Sequence, residues 1–257
     1  MSKDLTTIVD FNYSLIADFF KHLNRQGPGS LQVTKQALSY IDNLSQVKNM
    51  ADIGCGTGTQ TLTLATNTNA HITAIDLIPE MIEVMDTRIV DAGMSDRITT
   101  IVGSMDNLPF EESLLDLMWA EGSIYGIGYE RGMNEWHKYL KTGGYIAVSE
   151  ATWFTNERPA EIEEFWNENY PEIDTAPVKI RQMQDAGYTP VAYFKLPEYT
   201  WIDCFFKEMP PVAKDFLTRN GNNETAKIFI EMVEHEESLY MKYKEYYGYG
   251  FYIGKKI

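Results

Sequence analysis

The chain of 257 residues has little cysteine, little positive charge and no long apolar run. Its two cysteines, Cys55 and Cys204, are too few for a disulfide framework. A chain this long buries enough apolar surface to need no such staple, so a reducing, cytoplasmic setting is expected. Lys and Arg total 22 against 37 Asp and Glu, a formal charge of −15. That balance argues against a protein that follows a nucleic-acid backbone, which needs clustered cations. No stretch reaches the roughly 18 consecutive apolar residues of a membrane span. Residues 1–7 show no basic segment leading into the apolar core of a signal peptide. The four histidines, His22, His71, His137 and His235, form neither H-E-x-x-H nor a Cys/His pair at ligand spacing, so no metal site is expected. Repeats and Gly/Ser linkers are also missing. What is present, 44% hydrophobic and 13% aromatic residues, excludes a disordered chain.

The first half alternates strand and helix patterns. Strands are expected at 48–53, 71–76, 97–102, 114–119 and 144–149, the last after the Gly143-Gly144 turn. Helices are expected at 58–66, at 79–91 behind Pro79, and at 129–140 with Met133, Trp136 and Leu140 on one face. Such alternation means parallel strands joined by helical crossovers, an α/β doubly wound sheet with a ligand crevice at the strands' carboxyl ends. The second half differs: helices at 159–168 and 176–186, a strand at 188–196, a helical aromatic-rich stretch to about 246, and a last strand at 249–254. Residues 1–45 read as helical.

One turn carries chemistry: Asp52-Ile53-Gly54-Cys55-Gly56-Thr57-Gly58, directly between a strand and a helix. Glycines there permit a sharp bend and close approach of a ligand. The dinucleotide fingerprint fails at Thr59, where its third glycine belongs, and the P-loop fails there too, with no lysine following. Asp52 is placed to accept from an ammonium group. Asp76, twenty residues after Gly56, ends the second strand, where a carboxylate can hold both hydroxyls of a ribose. A ribose diol, an acid for an amino-acid moiety and no phosphate lysine describe S-adenosylmethionine better than NAD.

The turn, Asp76, Gly103-Ser104-Met105-Asp106-Asn107-Leu108-Pro109-Phe110, residues 115–122 and residues 140–150 together resemble the successive motifs of class I S-adenosylmethionine-dependent methyltransferases. The branch is similar to the ubiquinone/menaquinone C-methyltransferases. The resemblance covers residues 48–150. It implies a Rossmann-like sheet of seven strands with an antiparallel last strand, and one methyltransferase domain over 1–257. The core would be about 46–197 and 248–257, and a helical cap about 1–45 and 198–247. It implies that Gly54, Cys55 and Gly56 pass under the methionine and ribose and that Asp76 holds the ribose hydroxyls. Leu77 and Met105 would pack on adenine, and Asp106 would accept from its exocyclic amine. Met81 and Ser104 join this cofactor set, and Glu121 faces cofactor and substrate.

Glu121 and His137 are the candidate catalytic residues, although His137 reads first as a partly buried structural residue and Glu121 as a positioning one. Tyr13, Arg25, Tyr125 and Trp201 are candidate substrate or lid residues, with Arg25-Gln26-Gly27-Pro28-Gly29-Ser30 as a hinge-like turn. Cys55 reads as a residue of a tight turn, not a nucleophile. The expected partner is a small-molecule methyl acceptor. A nucleic-acid amino-methyltransferase is disfavoured, because Ala120-Glu121-Gly122-Ser123 stands where its Asn/Asp-Pro-Pro-aromatic tetrad belongs. A non-catalytic module that binds S-adenosylmethionine or its demethylated product remains open, and a dehydrogenase must explain Thr59.

Overall fold

The structure, a computed structural model, describes residues 11–257. Two helices, α1 (Tyr13–Phe20) and α2 (Leu31–Leu38), come first. Then follow β1 (Asn49–Ile53), α3 (Thr59–Asn67), β2 (His71–Asp76), α4 (Pro79–Asp91), β3 (Ile98–Val102), β4 (Leu115–Glu121), α5 (Tyr129–Trp136) and β5 (Leu140–Trp153). After them come α6 (Ala160–Asn169), the two-residue β6 (Asp174–Thr175), α7 (Ala176–Asp185) and β7 (Tyr188–Lys195). The chain closes with α8 (Tyr199–Ile202), α9 (Met209–Arg219), α10 (Glu224–Tyr243) and β8 (Tyr247–Lys256).

The strands lie in the order β3-β2-β1-β4-β5-β8-β7, with β6 beside the end of β5. The first five are parallel. β8 runs antiparallel between β5 and β7, so the antiparallel last strand expected from the sequence is present, and β6 adds a short extra strand. β1 and β4 are buried on both faces, as strands covered by helices on both sides must be. The chain moves outward from β1 through β2 to β3, then returns to place β4 on the other side of β1. That reversal opens a crevice at the carboxyl ends of β1 and β4.

Two expectations are corrected near β5. The helix expected over 129–140 stops at Trp136; a tight turn at His137–Tyr139 follows, and Leu140 already pairs with Leu115. The Gly143-Gly144 pair lies inside β5, not before it. Four residues of β5 there face the single Asp116 of β4, a bulge that uses positive φ at Gly143. Asp116 holds it from the other side: Lys141 Nζ donates to its carboxylate at 2.6 Å, and the Lys48 and Asn49 N–H groups each donate at 2.9 Å.

Helices α1, α6, α8, α9 and α10 share one aromatic-rich cluster above the sheet, including Phe19, Trp166, Trp201, Phe216, Phe229 and Tyr247. The cap outlined from the sequence differs in two ways. α2 packs through Val33, Ala37 and Leu38 on the sheet-face cluster with α3, so it lies with the core. α6 joins the cap through Ile162 and Trp166. Residues 1–10 of the expected cap lie outside the described residues. Among the described residues, no helix is long and apolar enough to cross a membrane.

Candidate functional site

The bend after β1 is held by the main chain. The Gly54 and Cys55 N–H groups both donate to the Ile75 carbonyl, at 2.8 and 3.0 Å, folding the turn onto the end of β2. This requires φ of +72° at Gly54 and +54° at Gly56, which residues with a Cβ rarely adopt. Space requires glycine as well. A Cβ on Gly54 would lie 2.3 Å from Ser123 Cβ, and one on Gly56 would lie 2.2 Å from Gln26 Oε1.

Asp76 sits where β2 ends. Its Oδ2 accepts from the Gly56 N–H at 2.8 Å and its Oδ1 from the Ile78 N–H at 3.0 Å. Burial pushes its carboxyl above the ordinary range, opposed by these backbone bonds. Each oxygen keeps a lone pair for an incoming hydroxyl. Across the rim, Ser104 Oγ donates to Asp106 Oδ2 at 3.0 Å, and Arg131 Nη1 lies 2.8 Å from Asp106 Oδ1. Asp106 is thus aimed by two neighbours while staying half-exposed.

Glu121 ends β4 and is almost completely saturated. Arg25 Nη1 donates to its Oε2 at 2.8 Å; Thr34 Oγ1 and Trp119 Nε1 donate to its Oε1 at 2.6 and 3.0 Å. The pair is buried, with side chains 7% and 3% exposed. Its chemistry is that of a fastener between the sheet and the segment joining α1 to α2. The next residue, Gln26, makes a second fastening: its Oε1 accepts from the Thr57 N–H at 2.9 Å while its Nε2 donates to the Phe20 and Leu23 carbonyls.

These groups surround one cavity of about 710 Å³, within the range of small-molecule sites. Gly54, Cys55, Gly56, Asp76, Leu77, Met81, Ser104, Met105, Asp106 and Glu121 all line it, and so do Tyr13, Arg25 and Tyr125. Cys55 is fully buried, and burial pushes its thiol up, so it is no nucleophile.

Three residues singled out from the sequence lie elsewhere. Asp52 is fully buried behind the turn, with Thr61 Oγ1 donating to it at 2.5 Å; helix α3 covers it, so it meets no ligand ammonium. Burial pushes its carboxyl up to about 7. His137 stands at the opposite, amino-terminal end of the sheet, edge-on to Tyr188 at 5.1 Å, too far round the molecule to act as a base here. Trp201 is 1% exposed and stacks on Tyr240 at 4.4 Å, inside the cap's core and not on the cavity wall. Sequence reasoning missed Ser123, whose Oγ donates to the Ile53 carbonyl at 2.6 Å and so clamps the turn from β4. Its signal was the glycine before it, Gly122, with φ +63°.

Residues 50–144, which contain both carboxylates of the rim, match the family described as methyltransferase domain. The family match takes in a little over a third of the chain. The chain is 32% identical over 110 residues to the ubiquinone/menaquinone biosynthesis C-methyltransferase UbiE of Geobacter sp. (strain M21). That match takes in 42% of this chain and 47% of the relative, so the chain spans about half of the relative's length. In fold, the whole chain is similar to a SAM-dependent methyltransferase from Geobacter sulfurreducens solved with S-adenosyl-L-homocysteine (TM-score 0.81, 19% identity, 96% of this chain and 99% of that one). It is also similar to the 4+2 cyclase SpnF (TM-score 0.72, 20% identity, 88% of this chain and 80% of that one). A methyltransferase domain and a cyclase sharing one architecture show that activity must be argued from the site.

Proposed function

We propose that this chain is an S-adenosylmethionine-dependent methyltransferase acting on a small-molecule acceptor. The observation that carries the reading is the pairing of Asp76 with the glycine bend: a carboxylate anchored by the Gly56 N–H, facing a cavity whose floor only glycines can form. The residues present suit an adenosyl ligand. Asp76 would accept from the ribose hydroxyls, Leu77 and Met105 would flank the adenine, and Asp106 would accept from its exocyclic amine. When bound, S-adenosylmethionine supplies a methyl group already activated on a sulfonium.

The chain's own work is then positioning and exclusion of water. Arg25 and Gln26 hold the α1–α2 segment across the cavity, and Phe20, Ile16 and Tyr13 of that segment form an apolar wall. Holding two reactants in line is worth about 7–11 kcal/mol of barrier. Glu121, with both oxygens occupied, is a wall and not a base. The alternative of a non-catalytic binding module is disfavoured by the apolar and aromatic space that continues past the rim toward the cap, which a module would not need. Calorimetry with S-adenosylhomocysteine tests the reading. Asp76→Ala should weaken binding roughly 10- to 100-fold, as expected for losing hydrogen bonds to a charged group. Unchanged affinity would overturn it.

A further inference from the structure

Helix α4 reaches back to the glycine turn through one side chain. Arg88 stands in its last turn and is half-buried. A cation there ordinarily offsets the carboxyl-end dipole of its own helix. Arg88 turns away instead. Its Nη1 donates to Thr57 Oγ1 at 2.7 Å, to Thr59 Oγ1 at 3.1 Å, to the Thr57 carbonyl at 3.2 Å and to the Asn24 carbonyl at 3.3 Å. That nitrogen carries two hydrogens, so the four contacts share them. All four acceptors are neutral oxygens. Three belong to Thr57 and Thr59, at the amino end of α3, which carries partial positive charge. Dipole complementarity alone would not send a guanidinium there.

What it holds lies against two walls of the cavity. Residues 54–56 of the turn and 25–28 of the α1–α2 segment line that space; Arg88 does not. Thr57 is the shared point. Its N–H donates to Gln26 Oε1 at 2.9 Å, and its Oγ1 accepts from Gln26 Nε2 at 3.1 Å as well as from Arg88. Beside it, the Gly56 N–H holds Asp76 Oδ2 at 2.8 Å. A line of contacts therefore runs from Arg88 through Thr57 and Gly56 to the rim carboxylate. On the other side, the Glu208 carboxylate accepts from the Asn24 N–H and Nδ2 at 3.1 and 2.9 Å, so Asn24 is held between cap and core. The fit leaves no slack. A Cβ on Gly56 would meet Gln26 Oε1 at 2.2 Å, and one on Gly58 would meet Met85 Cγ of α4 at 2.7 Å.

We propose that Arg88 is a positioning residue for the adenosyl ligand: it fixes the glycine turn and the α1–α2 segment at one separation before the ligand arrives, and so keeps Asp76 in place. This rests on the methyltransferase reading above. Ordering that must be done on binding subtracts from affinity, and ordering done in advance does not. Without Arg88, Thr57 keeps only its bonds to Gln26, and Asn24 keeps its bonds to Glu208. Each wall is then held by its own side and the two are no longer tied through α4. The turn and the segment take up more than one separation, and binding bears that cost. Truncations elsewhere loosen the fold without moving the turn, so ligand affinity reads this role and stability does not.

The test measures S-adenosylhomocysteine binding to the full chain by calorimetry, well below the melting temperature. Arg88→Met, Thr57→Val and the double variant are compared with the unaltered chain. Phe216→Ala, in the cap's aromatic cluster, is the control for lost stability alone. Arg88→Met should bind roughly tenfold more weakly, as expected for losing charge-assisted hydrogen bonds that order the site. The double variant should lose less affinity than the two single losses multiplied together, because both changes cut the same link. Should Arg88→Met fold poorly, Arg88→Gln replaces it. A loss below about threefold overturns the proposal; so does a loss that Phe216→Ala matches, or single losses that multiply in full. An unaltered chain that fails to bind S-adenosylhomocysteine overturns the methyltransferase reading and this proposal with it, whereas binding that ignores Arg88 overturns this proposal alone.

Discussion

At the rim, Gly54, Gly56 and Asp76 act through the main chain: two positive φ angles, two N–H donors to one carbonyl, and a carboxylate caught by the turn it faces. In the cap, Phe19, Phe216 and Phe229 act only through packing, with ring centroids 5.3–5.5 Å apart and no polar atom between them. The rim places a few atoms accurately at little cost in buried area. These rings bury much area but fix no atom by a directional bond; the cap's hydrogen bonds, such as Arg219 Nη2 to the Asp18 carbonyl, lie outside them. A site that must grip one invariant ligand and admit another is well served by that division. The two parts meet where Arg25 and Gln26 fasten the α1–α2 segment down, and where Phe20 and Met81 of the cap's cluster line the cavity.

The sharpest way to separate them is Phe216→Ala. Phe216 is fully buried, and its truncation should cost about 3–5 kcal/mol of stability. Because it touches the cap and not the cavity, S-adenosylhomocysteine affinity of the protein that remains folded should stay within about threefold. Thermal melts and calorimetry on the same sample check both. A large fall in affinity would mean that cap and rim are one unit.

This division also explains what could be read from the chain beforehand. The rim's geometry is local: a glycine needing positive φ and an acid at a strand end are written within residues 52–76, so Gly54, Gly56 and Asp76 could be named from spacing alone. Glu121 could be placed but not understood, because its partners Arg25 and Thr34 come from about ninety residues earlier. Trp201 looked like a wall residue because aromatic spacing says that a face is buried, not what buries it; Tyr240 does. Asp52 was misread for a simpler reason. Strand alternation turns it away from its neighbours' side, and Thr61, in the first turn of α3, covers it.

The junction gives the second prediction. Arg25→Met keeps the volume but leaves Glu121 buried without its cation. Breaking a buried pair costs about 3–5 kcal/mol. The low end, near 3, is expected because Thr34 and Trp119 still donate to the carboxylate. The double variant Arg25→Met/Glu121→Gln should recover much of that loss, since the stranded charge is gone. A double-mutant cycle by denaturant melts checks it. If the two losses simply add, the pair is not a fastener and the comparison loses its hinge.

The smallest expected effect belongs to the rim's hidden support, Asp52. Burial raises its folded-state carboxyl from 3.8 to about 7. Below about pH 4 both folded and unfolded chains hold this proton, and its contribution to stability is complete. As pH rises toward 7 the unfolded chain releases the proton first, so the folded state holds more protons and loses stability relative to the unfolded one. Above about 7 the slope from this group vanishes. Asparagine never titrates but can still accept from Thr61, so Asp52→Asn should remove this part of the decline and leave the parts due to Glu150 and Glu236, whose carboxyls burial also raises to about 7. In a chain of this size each kcal/mol of difference between the two proteins corresponds to roughly 2–4 °C. Melting curves at half-unit steps from pH 4 to 8 read it directly. Parallel profiles for the two proteins would mean that Asp52 is charged in the fold and that the turn's polar support reaches water after all.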